Sequence, residues 1–218
     1  KVLIKTISSL VSTGTEKMLV DFGAAGYINK ARQQPDKVKQ VIEKIKTDGV
    51  AATFDAVKSK LDMPIQLGYC NVGKVCEVGN GVKGFEIGDI VVSNGSHSEY
   101  VLVSENLCSK VPESVSTDDA VFTVLSSIAL QGIRLSNPSI GEIFSVMGLG
   151  LVGQLAVQIL LANGCKVVAF DFNKERVEFA KKSGADAFLL TDNFDPVSEA
   201  LLLSDGYGVD GVPITANP

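Results

Sequence analysis

Three glycines, Gly148, Gly150 and Gly153, form the pattern G-x-G-x-x-G within the stretch FSVMGLGLVGQLAVQILLANG. The residues before the pattern are typical of a buried strand, and those after it are typical of a helix. In such a turn the first glycine permits the sharp bend, the second lets the backbone approach a ligand, and the third lets helix and strand pack closely. Because free N–H groups and the helix dipole meet at the start of that helix, the turn predicts a diphosphate-binding site. The alternative is a packing loop that binds no phosphate.

An acidic residue follows where a dinucleotide site needs one. Asp171 ends the next predicted strand, eighteen residues after Gly153. A carboxylate at that place accepts both hydroxyls of the adenosine ribose and repels a 2′-phosphate, so NAD(H) is predicted in preference to NADP(H). A lysine near this strand end can accommodate a 2′-phosphate, but we interpret Lys174 as a solvated residue at the start of a helix. The predicted cofactor-binding residues are Gly148, Gly150, Leu151, Val152, Gly153, Asp171, Phe172, Asn173, Lys174 and Thr215.

The elements that would position this site begin after Pro112, where predicted strands and helices alternate. Ser116 and Asp119 form a capping pair for a helix over about 117–134. Strands follow at IFSVMG, KVVAF, AFLL and VDGVPIT, and helices at 151–163, 173–183 and 196–203. This alternation predicts a doubly wound parallel sheet with right-handed crossovers.

Residues 1 to about 112 have a different pattern, with short runs of branched residues punctuated by glycines. The predicted strands are KVLIKTIS, Val72–Val78, Asp89–Val92 and HSEYVLVS, which indicate a small barrel or sandwich. Two predicted helices, QPDKVKQVIEKIKTDG and VAATFDAVKSKL, interrupt these strands, and each has an apolar face. We interpret them as a helical insertion at about residues 22–63. It is either a packed surface excursion or a lid or interface with another part of the protein.

The composition limits the classes of function. The chain has 218 residues, a hydrophobic content of 45% and a net charge of −5 with both signs mixed, which disfavours a nucleic-acid partner. No apolar run approaches the roughly 18 residues of a spanning helix, and the first residues are no signal peptide, so we expect a soluble, cytoplasmic protein without a membrane partner. Because residue 1 is not methionine and the sequence stops just after a predicted strand, we expect a longer natural chain.

The four cysteines, Cys70, Cys76, Cys108 and Cys165, contain no C-x-x-C pair, and His97 is the single histidine. Cysteines with this spacing are usually reduced, buried and structural. A zinc site built from these residues would need partners that are distant in sequence.

Several motifs together resemble a known family. The pattern G-x-x-x-x-G-x-V-x-x-V-G at Gly68–Gly79, then GFEIGDIVV, SEYVLV and the G-x-G-x-x-G region, resembles the medium-chain dehydrogenase/reductase family of the zinc alcohol dehydrogenase type. The resemblance implies a GroES-like catalytic β domain over residues 1–112, interrupted by the helical insertion. It also implies an NAD-binding Rossmann α/β domain over 113–218. That domain is expected to be incomplete at its C-terminus, since full members add two strands and then return to the catalytic domain.

A narrower resemblance comes from SLVSTGTEKMLVDFG, KARQQPDKVKQVIEKIKTDG, LGYCNVG and VLSSIALQGIRL. These segments resemble the dehydrogenase-like half of bacterial two-part oxidoreductases, which precedes a Gfo/Idh/MocA-type sugar dehydrogenase half. That group typically belongs to surface polysaccharide pathways. The resemblance therefore implies a sugar-like small-molecule substrate and a fused partner half, and we expect a homo-oligomer.

The family's zinc ligands can be compared with this sequence one at a time. Thr13 in TGTE takes the place of the first cysteine, Tyr69 takes that of the histidine with Cys70 in place of the glutamate, and Val124 takes that of the third ligand. A threonine hydroxyl and a phenol are poor substitutes for thiolate and imidazole, and valine is no ligand. The family's four-cysteine structural lobe is also absent from the sequence. We therefore predict no metal, and the alternative is an unusual site that combines Cys70, His97 and Glu16.

Without a metal, hydrogen-bond donors must polarise a substrate carbonyl. Tyr69 is the leading candidate, since a phenol is a donor and a proton source, although core filling explains it equally well. The family's relay hydroxyl falls on Thr15, which could bind the substrate oxygen together with Thr13, and the acid Glu16 follows. His97 could relay protons near neutral pH or be an exposed turn histidine.

Two hypotheses follow for the function. The first is a zinc-independent, NAD-linked oxidoreductase that acts on a hydroxyl or carbonyl group of a sugar-like substrate. The second is a catalytically silent module that binds a nucleotide or docks a partner half. A third possibility is that a truncated chain binds nothing well.

Overall fold

The computed structural model describes residues 1–33, 35–61 and 63–216. The first part contains β1 (Val2–Ser9), α1 (Thr13–Ala24), α2 (Tyr27–Gln33), α3 (Pro35–Asp48), α4 (Val50–Leu61), β2 (Asn71–Val78), β3 (Ile90–Ser93), β4 (Tyr100–Val103) and β5 (Cys108–Lys110). The second part contains α5 (Thr117–Ala120), α6 (Thr123–Ser136), β6 (Ile143–Met147), α7 (Leu151–Ala162), β7 (Lys166–Asp171), α8 (Lys174–Lys182), β8 (Asp186–Leu189) and α9 (Pro196–Leu203). Within the described ranges, no helix has the length and apolar character needed to cross a membrane.

The five strands of residues 1–112, the antiparallel lobe, form one sheet in the order β4-β1-β2-β3-β5. All four pairings are antiparallel, which agrees with the β domain expected from the sequence. Val2, Ile4, Val75 and Val91 are fully or almost fully buried in its core. Alternate residues of β1 face this core, as a half-buried strand requires.

The helical insertion is larger than the sequence pattern predicts. The two predicted helices are present as α3 and α4, but α1 and α2 precede them, so helical structure begins at Thr13 rather than near residue 22. The segment TGTEKMLVDFG was not predicted as a helix because Gly14 and Gly23 lower its intrinsic helix propensity. Gln34 and Asp62 in the predicted insertion lie outside the described residues.

The parallel lobe, residues 113–216, has the sheet order β6-β7-β8 with both pairings parallel. The predicted strand VDGVPIT is present only as two isolated parallel bridges to β6, from Gly211 to Phe144 and from Ile214 to Met147. Buried residues of β6, β7 and α7 form one core, with Phe144 and Val157 among its most buried side chains. This arrangement confirms the predicted parallel α/β architecture.

The predicted helix over 117–134 consists of two helices, with a break at Val121 and Phe122. Ala120 and Val121 pack against Val72 and Val92 of the antiparallel sheet. The buried face of α6 joins the core of the parallel lobe instead. The break therefore lets one segment pack against both lobes, which a single straight helix could not do.

Candidate functional site

The glycine turn between β6 and α7 is fixed by contacts with the end of β7 and with Thr215. Gly148 has a positive φ of 92°, which favours glycine, and its N–H donates to the carbonyl of Phe170 at 2.8 Å. A Cβ on Gly153 would lie well inside van der Waals contact of the Gly148 carbonyl oxygen. Thr215 fixes the same oxygen through a hydrogen bond of 2.6 Å from its hydroxyl. Three of the predicted cofactor-binding residues therefore build the turn itself.

Space for a ligand lies above the turn, beside Gly150. This residue is the N-cap of α7, and a Cβ added to it would meet no atom within 4 Å. Leu151 and Val152 form the first turn of the helix, where N–H groups point out of the helix end. Open space at a helix N-terminus fits the diphosphate of a dinucleotide.

Asp171 lies at the end of β7 and is only 7% exposed. Its Oδ2 accepts the N–H of Leu149 at 2.6 Å, and its Oδ1 accepts the N–H of Asn173 at 2.7 Å. The carboxylate thus anchors the glycine turn to the β7–α8 turn, a structural role that the sequence pattern did not reveal. A carboxylate has about four acceptor positions, so both oxygens keep capacity for a ribose hydroxyl.

The residues after Asp171, which are predicted to contact the adenosine, form the turn from β7 into α8. Phe172 is 80% exposed, Asn173 caps α8 by accepting the N–H groups of Glu175 and Arg176, and Lys174 is exposed. Sequence reasoning missed Arg176, whose Nη1 lies 3.7 Å from Oδ2 of Asp171. The available signal was a second basic side chain in the first turn of the helix that follows the acid.

A second cluster lies in the antiparallel lobe, and it joins His97 to residues that precede it by 81 and by 88 positions in the sequence. Nε2 of His97 lies 2.8 Å from Oε2 of Glu16, and Nδ1 lies 2.8 Å from Oγ of Ser9. Glu16 is 5% exposed, and its other oxygen accepts the N–H of Ser12, the N-cap of α1. Because an ionised carboxylate only accepts, Nε2 must carry the proton, and in the neutral ring Nδ1 accepts from the Ser9 hydroxyl. Sequence reasoning missed Ser9, since nothing in its local pattern distinguishes it.

The position of His97 is fixed by the backbone as well as by its ring. Its N–H donates to the carbonyl of Leu67 at 2.9 Å. Gly68 has a φ of 91°, and a Cβ there would come within 2.6 Å of the His97 nitrogen. The His97 side chain is 25% exposed. It is therefore not the freely exposed turn histidine of the alternative interpretation.

Cys70 lies beneath this cluster and is fully buried. Burial raises the pKa of its thiol to about 11, a backbone hydrogen bond with Leu125 opposes the shift, and the charge of Glu16 adds to it. The thiol is consequently protonated at neutral pH and is not a thiolate nucleophile. The contact with Leu125 places the start of α6 against Cys70.

The other predicted catalytic residues lie around the cluster without being hydrogen-bonded to it. Thr13 and Thr15 are exposed in the first turn of α1, one turn or less from Glu16. Tyr69 is half-buried and directly precedes Cys70. In the part of the chain that the structure describes, none of these three hydroxyl groups has a hydrogen bond to a protein atom, so all three are available to a ligand.

The residues predicted to stand at the family's zinc positions do not fit a tetrahedral zinc ion. Thr13 and Tyr69 offer neutral hydroxyl groups, and Val124 offers no donor. Glu16 and His97 are already bonded to each other and to Ser12 and Ser9. Among residues 1–33, 35–61 and 63–216, no group of three or more His, Cys, Asp or Glu side chains is arranged to hold a metal.

Comparison with known proteins finds two family models and a curated relative. The alcohol dehydrogenase GroES-like domain matches residues 37–113, and the zinc-binding dehydrogenase model matches residues 152–217. D-guloside 3-dehydrogenase of Escherichia coli K12 is 33% identical over 149 residues, which are 66% of this chain and 43% of that protein. The matched region is thus less than half the length of this relative.

Solved structures share the fold. (2R,3R)-butanediol dehydrogenase from Bacillus subtilis matches with a TM-score of 0.63 and 27% identity, over 73% of this chain and 55% of that one. An alcohol dehydrogenase from Escherichia coli CFT073, solved in complex with NADH, matches with a TM-score of 0.62 and 24% identity, over 70% of this chain and 54% of that one. With both family models matched in the expected order on this fold, the chain belongs to the medium-chain, zinc-type alcohol dehydrogenase-like family.

Proposed function

We propose that this chain is part of a zinc-independent, NAD(H)-linked oxidoreductase that acts on a hydroxyl or carbonyl group of a sugar-like substrate. The observation that carries the proposal is the glycine turn, with open space beside Gly150 at the start of α7 and the buried carboxylate of Asp171 at the end of β7. The diphosphate would bind at Gly150, Leu151 and Val152. The ribose hydroxyls would bind at Asp171, which favours NAD(H) over NADP(H).

The chemical half of the proposal rests on the cluster in the antiparallel lobe. Bound NAD⁺ supplies a hydride acceptor, and the protein must then hold the substrate and take the proton that its hydroxyl releases. The unpaired phenol of Tyr69, with Thr13 and Thr15, would bind the substrate oxygen. The Glu16–His97 pair would take up the proton, since His97 is partly exposed and can pass it to solvent.

The substrate class is supported by the curated relative, a D-guloside 3-dehydrogenase, which oxidises a sugar derivative according to its name. We extend the proposal to a cytoplasmic enzyme of a polysaccharide pathway with a fused sugar-dehydrogenase half. These finer points rest on the family resemblance of the sequence.

The cofactor proposal is tested by titrating the full-length protein with NADH and following nicotinamide fluorescence. Gly150→Val places a side chain in the space beside the turn, while its φ of −66° accommodates any residue. We expect NADH affinity to fall about 100-fold, with a change in unfolding free energy below about 1 kcal/mol. Asp171→Ala is less specific, because it also removes the anchor of the turn. Wild-type affinity in Gly150→Val would overturn the proposed site.

Zinc independence is tested on the same sample by metal analysis. We expect less than stoichiometric zinc and no loss of turnover after treatment with a chelator. Stoichiometric zinc bound to the purified protein would show that the interpretation of Thr13 and Tyr69 is wrong.

The second candidate function, a nucleotide-binding or docking module without chemistry, is favoured by the replacement of the zinc ligands at Thr13, Tyr69 and Val124. Single-turnover reduction of bound NAD⁺ by candidate sugars separates the two functions. The partner half must be disabled in this assay so that its own site does not contribute. NADH binding without turnover of any candidate sugar would favour the module, whereas turnover that is lost in Tyr69→Phe would support the enzyme.

A further inference from the structure

Helices α1 to α4 enclose a groove of about 510 Å³ that the proposed function does not yet use. Each helix contributes an apolar side chain to its lining: Phe22 from α1, Ala31 from α2, Val41 from α3 and Phe54 from α4. Phe54 is 66% exposed, so the groove is open to solvent within the described part of the chain. A concave, mostly apolar surface of this size is typical of a small-molecule site.

The polar residues that line this groove are all basic. Lys37 and Lys58 are exposed, whereas Lys30 is half-buried, with its Nζ 5.7 Å from the centre of the Phe22 ring. A cation–π interaction holds an ammonium group in such a position. No acidic residue is among the lining residues in the described part of the chain. An occupant that fits this groove must therefore combine an apolar body with an anionic group.

One face of α1 connects the groove to the candidate site of the antiparallel lobe. Thr15 and Phe22 are seven residues apart in this helix, so they lie on the same face, two turns or about 10 Å from each other. Thr15 is exposed, and Met18, which lies beside that face between them, is 58% exposed. A ligand that binds the Thr15 hydroxyl can therefore continue along α1 to Phe22 and into the groove.

We propose that the groove binds the apolar chain of an amphipathic substrate, in which an acidic group such as a phosphate joins that chain to the sugar-like part. The acidic group would lie near Lys30, beside Phe22, and the sugar-like part would reach Thr15 and Tyr69. This inference rests on the proposed function, since it names the substrate class of the same site. A membrane surface is a poorer occupant, because interfacial helices insert a convex apolar face, whereas this apolar surface is concave.

The groove is tested by calorimetric titration of the full-length protein with monomeric decyl phosphate. We expect it to bind roughly tenfold more tightly than octyl phosphate, because two more methylene groups leave water. Ala31→Trp places a large side chain in the groove and should weaken binding of decyl phosphate by about tenfold or more. The matched control is Ala56→Trp, at an exposed position of α4 that does not line the groove, and it should bind like the wild type.

The anionic group is tested by comparing decyl phosphate with the neutral decanol. The double variant Lys30→Gln, Lys37→Gln should weaken binding of decyl phosphate about tenfold and leave binding of decanol within about threefold of the wild type. The matched control is Lys39→Gln, Lys46→Gln, which removes the same charge from exposed positions of α3 outside the groove lining. An equal loss for both ligands, or an equal loss in the control, would overturn the role of the lysines.

The link to the candidate site is tested with glucosyl, galactosyl and mannosyl decyl phosphates. At least one should bind about tenfold more tightly than decyl phosphate, and Thr15→Ala should remove this gain without weakening decyl phosphate itself. Wild-type protein that binds no decyl phosphate, unchanged binding in Ala31→Trp, or no gain with any hexose would overturn the proposal. Binding of phosphatidylglycerol vesicles without binding of monomeric decyl phosphate would overturn it in favour of a membrane. If the hexosyl compounds bind as expected but none reduces NAD⁺, the proposed oxidoreductase function fails while the assignment of the groove stands.

Discussion

The two candidate sites use different parts of the chain for their chemistry. In the parallel lobe the site is built from backbone: the bend at Gly148, the close approach at Gly153 and the helix end at Gly150. In the antiparallel lobe it is built from side chains, with Glu16 and His97 bonded to each other across 81 residues of sequence. The first site carries the complete G-x-G-x-x-G pattern at Gly148, Gly150 and Gly153. The second lies in a lobe with the family's fold, and we propose that its chemical groups differ from those of the zinc enzymes.

The difference shows which features of a site can change without loss of the fold. A backbone turn depends on the glycines that allow it, because a Cβ at Gly153 collides with the chain itself. A metal ligand is one side chain on a scaffold that packs without it, so the proposed replacement of ligands by Thr13 and Tyr69 is compatible with an intact lobe. A change at a glycine that packs against the chain itself, such as Gly153, should therefore lower the stability of the fold, whereas a conservative side-chain change, such as Glu16→Gln, should alter the chemistry while the fold is retained.

The largest effect on the free energy of unfolding is expected for Gly153→Ala. The added Cβ would overlap the carbonyl oxygen of Gly148 and approach the Thr215 hydroxyl, so β6 and α7 must separate. We expect a loss of about 4 kcal/mol of unfolding free energy, measured by urea denaturation and accompanied by loss of NADH binding. The control is Gly132→Ala in α6, where a Cβ meets nothing within 4 Å and should stabilise the helix by about 0.5–1 kcal/mol. Equal stabilities of the two variants would contradict the backbone-defined site.

The next largest effect is expected for Glu16→Ala in the side-chain-defined site. It leaves the Ser12 N–H and Nε2 of His97 without their acceptor in a buried place, at a cost of about 3 kcal/mol. Glu16→Gln retains an acceptor for Ser12 and should cost only about 1 kcal/mol, because the imidazole can change its tautomer and donate to Ser9 instead.

Activity separates the structural role of Glu16 from the proposed proton transfer. If the pair only holds α1 in place, the folded Gln variant should turn over like the wild type. A decrease in kcat at unchanged NADH affinity would support proton uptake by Glu16 and His97. Comparable turnover at every pH would restrict the pair to a structural role.

How far each site could be predicted follows from the same difference. The G-x-G-x-x-G pattern, Asp171 and the strands around them are local in sequence, so periodicity and spacing were sufficient to predict the turn between β6 and α7 and the position of Asp171 at the end of β7. The binding of a cofactor there stays a prediction. The Ser9–Glu16–His97 cluster joins three distant segments, and only tertiary structure brings them together. Helix α1 was not predicted because Gly14 and Gly23 lower its intrinsic helix propensity. Its first turn is held by the contact of Glu16 with His97, which is distant in sequence. The break before α6 was missed because packing on two separate cores produces it.

An intermediate effect on the free energy of unfolding is expected from ionisation of the Cys70 thiol at alkaline pH. Burial raises its pKa from 9.0 to about 11 in the folded protein. Between these values the unfolded state loses its proton first, so the thiol progressively lowers stability as the pH rises from about 9 to about 11, by an amount on the order of 2 kcal/mol. Unfolding free energies of the wild type and Cys70→Ala from pH 8 to 11 should therefore converge. Parallel curves would show that the thiol is not buried next to Glu16.

The smallest effect is expected for Asn173→Ala, a side-chain change within the backbone-defined site. Its Oδ1 accepts the N–H groups of Glu175 and Arg176 at the start of α8, and loss of this cap should cost about 1 kcal/mol. Because Asp171 still accepts the N–H of residue 173, the ribose site should stay in place and NADH affinity should change less than threefold. Asn173→Ser, which keeps a capping oxygen, should recover most of the stability. A large loss of NADH affinity in both variants would instead place the Asn173 side chain on the cofactor, so that this lobe, too, would depend on a side chain for binding.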